Sequence, residues 1–112
     1  MVPCVLISEE DGNISEVSVV VSSESRDLYR LLKGTATFIG QWPEIFVVIM
    51  KCRESTFELM ENRNVLPPPF ENEKVLGPIL LVRMDSNAEP QDFTLSEYLE
   101  STLLRSEPQQ ST

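Results

Sequence analysis

The run Ile45-Phe46-Val47-Val48-Ile49-Met50 is apolar at every position. A strand with one wet face alternates apolar and polar residues. An unbroken run rich in β-branched side chains therefore predicts a strand covered on both faces, in the middle of a sheet. The candidate strand extends over 44–52. Just upstream, residues 35–42 form another candidate strand, joined to it around Gly40-Gln41-Trp42-Pro43. Further back, the apolar run 2–7 and the β-branched run 16–22 flank an Asp11-Gly12 pair, the residue chemistry of a tight reversal, and predict an N-terminal hairpin. Downstream, residues 56–60 offer a short strand, and Gly77-Pro78-Ile79-Leu80-Leu81-Val82-Arg83 the last one.

Two helices fit between and after these strands. Leu28, Leu31 and Leu32 fall at i, i+3 and i+4 on one stripe. N-cap candidates precede them at Ser22, Ser23 and Ser25, and Gly34 is placed to end the helix. Near the C-terminus, Thr94 and Glu97 have the spacing of a capping box, with Phe93 and Tyr98 at the staple positions. Leu95, Tyr98, Leu99 and Leu103 would form the apolar face of that helix. Residues 85–90 read as a linker. The expectation is an α+β fold: a mainly antiparallel sheet of five or six strands, a short helix after the first hairpin and a C-terminal helix. Residues 1–105 make one domain, and 106–112 a flexible C-terminal tail.

Composition narrows the function classes. A chain of 112 residues with 41% hydrophobic residues can bury one modest core. Eighteen acidic residues against nine basic ones give a net charge of −9, which repels phosphate and argues against nucleic-acid or anionic-membrane binding. No apolar run approaches the roughly 20 residues that span a bilayer. The start Met1-Val2-Pro3-Cys4 lacks the basic residues of a signal peptide, so a cytoplasmic or nuclear location, and no secretion, is expected. Cys4 and Cys52 both lie in apolar runs and read as core residues rather than a disulfide.

The chain contains no histidine. That excludes Ser-His-Asp and Cys-His catalytic sets and the usual histidine zinc sites. The four glycines, at 12, 34, 40 and 77, are not spaced as a phosphate loop. Glu9-Glu10-Asp11 beside Gly12 lacks the alternation of a calcium loop. No catalytic residue, metal site or cofactor is expected.

Three features carry what remains. Trp42 either closes one end of the core or stands as an exposed anchor for a partner, the core reading being preferred. The stretch 62–70, with Asn62, Pro67, Pro68, Pro69 and Phe70, reads as an extended polyproline-like segment. It is either a rigid connector that crosses an edge and blocks strand pairing, or a preformed recognition surface. From Asp85 onward there are six acids and one base, Arg105, which suits a solvated helix face.

The order Glu61-Asn62-Arg63-Asn64-Val65-Leu66-Pro67-Pro68-Pro69, a charged spacer, then Leu76-Gly77-Pro78-Ile79-Leu80-Leu81-Val82 resembles an uncharacterised family of small proteins from large DNA viruses and eukaryotic algae. The likeness covers about residues 42–82. It implies an intracellular, viral protein with Asn62, Pro67, Pro68, Pro69 and Gly77 as signature positions, and it brings no activity. Together these readings point to a non-catalytic protein-interaction module, with Trp42, Asn62, Pro67, Pro68, Pro69 and Phe70 as candidate partner-binding residues. An acidic inhibitor or nucleic-acid mimic on a basic host site, and a small carboxylate-dependent enzyme, are the alternatives. Homodimerisation through an exposed sheet edge is compatible with each.

Overall fold

The computed structural model describes residues 1–10, 13–21, 26–54 and 59–100. Its elements are β1 (Val2–Ile7), β2 (Ile14–Val19), α1 (Asp27–Leu32), β3 (Thr35–Trp42), a 3₁₀ turn (Pro43–Ile45), β4 (Val47–Glu54), β5 (Ile79–Met84), β6 (Pro90–Gln91) and α2 (Leu95–Glu100). The six strands form one sheet in the order β2-β1-β5-β4-β3, with β6 added beside β5. Every pairing is antiparallel. The expected α+β architecture is present, with two short helices and the second one C-terminal.

Of the apolar run at 45–50, Val47 to Met50 lie inside the sheet as part of β4, between β5 and β3; the strand expected from residue 44 starts later, because Pro43–Ile45 form the 3₁₀ turn and Phe46, at φ 58°, caps that turn and stands exposed. The central strand is β5, buried from Ile79 to Val82 because it has neighbours on both sides and cover on both faces. Alternation divides the core in two. Val5, Ile7, Trp42, Val47, Ile49, Ile79 and Leu81 point to one face, with Leu66, Val75 and Phe93 packed on them. Cys4, Val19, Met50, Cys52, Leu80 and Val82 point to the other, under Leu32 of α1.

Several expectations are corrected. Residues 85–90 are more than a linker: the Asp85 N–H donates to the Glu89 carbonyl at 2.9 Å, and the turn delivers Pro90 and Gln91 as β6 against Met84 and Arg83. α1 stops at Leu32, and the left-handed capping residue is Lys33 (φ 64°) rather than Gly34. The residue before the helix is Arg26, which makes no side-chain cap bond. Asp27 instead accepts the Val20 N–H at 2.9 Å and ties the helix start to β2. The reversal at Asp11-Gly12, the serines at 22–25, most of the strand expected at 56–60, Leu103 and the tail fall outside the described residues.

At α2 the capping box is formed. The Glu97 N–H donates to the Thr94 hydroxyl and the Thr94 N–H to the Glu97 carboxylate, each at 3.1 Å. The staple closes edge-to-face, with the Phe93 and Tyr98 rings 6.3 Å apart.

Candidate functional site

Between β4 and β5 the chain leaves the sheet and returns at residues 60–77, and its two ends are fastened to each other. The Gly77 N–H donates to the Met60 carbonyl at 2.7 Å, Glu61 and Leu76 form an antiparallel bridge, and the Asn62 N–H donates to the Val75 carbonyl at 2.8 Å. Such a closed neck defines an Ω-type loop. Gly77 sits at φ +83°, a backbone conformation that favours glycine, and a Cβ there would lie 3.1 Å from Leu59 Cδ1, so that side chain would have to give way.

Asn62, 8% exposed, is the polar knot of this neck. Its Nδ2 donates to the Ile7 carbonyl at 3.1 Å and the Gly77 carbonyl at 2.9 Å, while its Oδ1 accepts the Asn64 N–H at 3.0 Å. A side chain here needs two donors and an acceptor in one plane, which a primary amide supplies and a carboxylate does not. Asn64 continues the knot, donating to the Ser8 carbonyl at 2.8 Å. The loop is thereby tied to the ends of β1 and β5 at once.

The far end of the loop is held by aromatic packing. Leu66 and Val75 insert into the core. Residues 67–70 form a turn closed by the Phe70 N–H and the Pro67 carbonyl at 3.1 Å, with a cis Pro68–Pro69 bond at the position type VI turns use. The buried indole of Trp42 donates to the Pro68 carbonyl at 2.8 Å, and its ring meets Phe70 edge-on at 5.7 Å. Phe70 lies on Gly40 of β3 so closely that a Cβ on Gly40 would be 2.6 Å from the ring.

This geometry revises the reading of the proline segment. It is a turn gripped by the protein's own tryptophan, not an extended polyproline run, because the buried indole N–H needs an acceptor and Pro68 provides it. It covers a sheet face and makes no pairing with the β3 edge. Trp42 is 3% exposed and belongs to the core, so it does not act as an exposed anchor. The structure brings Trp42, Pro68 and Phe70 into one cluster and places Asn62 apart from them, at the neck. Among the three prolines, Pro69 is the exposed one. The sequence reading missed Gly40, whose partner Phe70 is 30 positions away, and Asn64. It also missed Val65 and Leu76, which stand 72% and 54% exposed beside the buried Leu66 and Val75.

A second clamp holds α2 on the same face. Arg83 donates to the Ile45 carbonyl, the Asp92 carbonyl and the Glu97 carboxylate (2.8 Å), and its guanidinium stacks 5.0 Å from the centre of the Phe93 ring. The hydrogen bond from Arg83, with that from Thr94, holds the Glu97 carboxyl below its usual range. Burial pushes the Tyr98 hydroxyl up.

The reactive inventory is sparse. Burial, with the Asp92 charge adding to it, pushes the Cys4 thiol up to about 11, which keeps it protonated at neutral pH and out of nucleophilic chemistry. Among the described residues no group of three acids or cysteines is placed to hold a metal ion. An open depression of about 340 Å³ lies between Gln41, Phe46, Val48 and Met84.

These features define a class: a small α+β domain whose antiparallel sheet has a helix on one face and an anchored loop on the other. Within it, the chain belongs to DUF5880, a family of unknown function whose model matches residues 5–101. No curated protein and no solved structure matches the chain.

Proposed function

We propose that the protein is a non-catalytic protein-interaction module acting inside a cell, and that the outer side of loop 60–77 is its recognition surface. The observation that carries this reading is the alternation within the loop. Leu66 and Val75 are driven into the core, while Val65 and Leu76, next to each of them, are held outward and uncovered. Apolar side chains displayed on an anchored backbone lose little entropy when a partner covers them. Pro69 adds to the displayed side without a side chain to order. An action inside a host cell, as for a viral protein, rests on the sequence resemblance.

The test is an affinity capture from the native host with three baits. Wild type is compared with Val65→Glu/Leu76→Lys on the loop and with Tyr29→Glu on exposed α1. Partners retained by the α1 variant and lost by the loop variant support the surface. Identical partners on all three baits refute it.

A further inference from the structure

Helix α1 covers only part of its face of the sheet. Its capping residue Lys33 lies at the Ala36–Cys52 end of the β3–β4 pair, where the Cys52 thiol donates to the Lys33 carbonyl at 3.8 Å. At the opposite end of the same pair, where Gln41 meets Val48, lies the open depression of about 340 Å³. Half-buried Val48 and Met84 line it together with the exposed Phe46 and Ala88.

The backbone here is held in an uncommon state. Among the described residues, three that are not glycine have a left-handed backbone, and two of them, Phe46 (φ 58°) and Ala88 (φ 62°), line this depression. A bulky side chain rarely adopts that conformation. Phe46 is fixed in it by its own N–H on the Pro43 carbonyl at 3.3 Å and by the Met84 N–H on its carbonyl at 2.8 Å. The residue is nevertheless 54% exposed, so packing within the chain does little to offset the strain. Strained backbone around an uncovered ring points to a contact outside the chain.

Charge says what kind of contact. Asp85 lines the depression, and the exposed Glu44 and Glu89 adjoin its lining residues Pro43 and Ala88 in the chain. No lining residue is basic. None of the three acids forms an ion pair among the described residues. Asp85 accepts the Asn87 and Glu89 N–H groups on Oδ1 and the Gln91 amide on Oδ2. All three donors are neutral, so the negative charge stands, and Oδ2 keeps room for one more donor. Arg83 does not cancel it: its guanidinium lies on the opposite face, over Phe93, and is paired with Glu97.

We propose that this depression receives an arginine side chain of a protein partner. The guanidinium stacks on Phe46 and is met by the Asp85 carboxylate, with Glu44 and Glu89 adding to the attraction, while the methylene stem lies along Val48 and Met84. Arginine joins an apolar stem to a planar, weakly hydrated cation that stacks on aromatic rings, which matches both the walls and the charge. A purely apolar side chain would desolvate carboxylates without answering them, and a phosphate or carboxylate would be repelled. The site is on the α1 face, opposite loop 60–77, and does not rest on the loop's role.

Amide chemical shifts of the full chain, followed by NMR during titration, test this. The probes are N-acetyl-Gly-Arg-Gly-amide, the same peptide with the neutral isostere citrulline, and free L-arginine. The arginine peptide should give saturable low-millimolar shifts centred on Phe46, Val48, Met84 and Asp85, and citrulline should bind roughly tenfold or more weakly. Phe46→Asn, a residue that tolerates left-handed backbone, should keep the wild-type circular dichroism and lose roughly tenfold or more in affinity. Glu44→Gln/Glu89→Gln should weaken binding several-fold while leaving the Asp85 turn intact. The proposal is overturned by shifts that do not saturate or that spread over the acidic surface, by equal affinity for citrulline, or by a folded Phe46→Asn that binds as wild type does. Free L-arginine binding roughly tenfold tighter than the peptide would overturn the protein partner in favour of the whole amino acid.

Discussion

On one face of the sheet the cover includes a six-residue helix, α1; on the other it is chiefly a loop without regular structure. The helix is the more orderly object and the more lightly held. It lacks a side-chain N-cap, contributes one fully buried residue, Leu32, and is tied at its start by Asp27. The loop puts Leu66, Val75 and Phe70 against the sheet, and Asn62, Asn64 and the Trp42 indole each find backbone acceptors. No described buried side-chain nitrogen or oxygen lacks a partner. The difference teaches that irregular backbone can seal a core firmly when each polar group it buries is answered. Regularity of backbone and strength of attachment are separate properties.

The contrast can be broken from either side. Trp42→Ala removes the indole from the loop-side core and is expected to cost about 4 kcal/mol in urea unfolding. Trp42→Phe keeps most of the packing but leaves the Pro68 carbonyl unanswered, at about 1 kcal/mol. Asn62→Ala is expected to cost about 3 kcal/mol, since it strands two carbonyls and an N–H at the neck. On the helix side, Asp27→Ala loses one tie to Val20 and an exposed pair with Arg30, and should fall below about 1 kcal/mol.

The smallest effect concerns pH. The Glu97 carboxyl is held down in the folded state, so its contribution is present above its unfolded value of about 4.3 and is lost as pH falls through its folded value. Glu97→Gln should therefore remove a small contribution at neutral pH and flatten the loss of stability in acid, where wild type has lost the same contribution. Denaturant midpoints measured across the acid range would show it.

How much of this was legible in the sequence follows from the range of each signal. Periodicity and capping are local, so the hairpin strands, the buried β4 run, the leucine stripe of α1 and the Thr94–Glu97 box could all be read from neighbouring residues. Proline composition suggested extended backbone at 67–69, but the indole of Trp42, 26 positions away, draws Pro68 into a turn. The Phe70–Gly40 contact and the amide knot of Asn62 are long-range pairings with no local trace. Asn62 is legible as the start of the proline segment and Gly77 as the start of the last strand, but the mechanical role of each at the neck comes only from the structure. Exposure of Val65 and Leu76 could not be read either, because the loop has no period from which to infer a face.

Whether loop 60–77 is an integral part of the folded sheet is tested most directly by native-state hydrogen exchange. The amides of Asn62 and Gly77 and the indole N–H of Trp42 should exchange only through global unfolding, with the same free energy as the Leu80 and Leu81 amides of β5. Exchange of those three groups through a local opening well below that of β5 would contradict it.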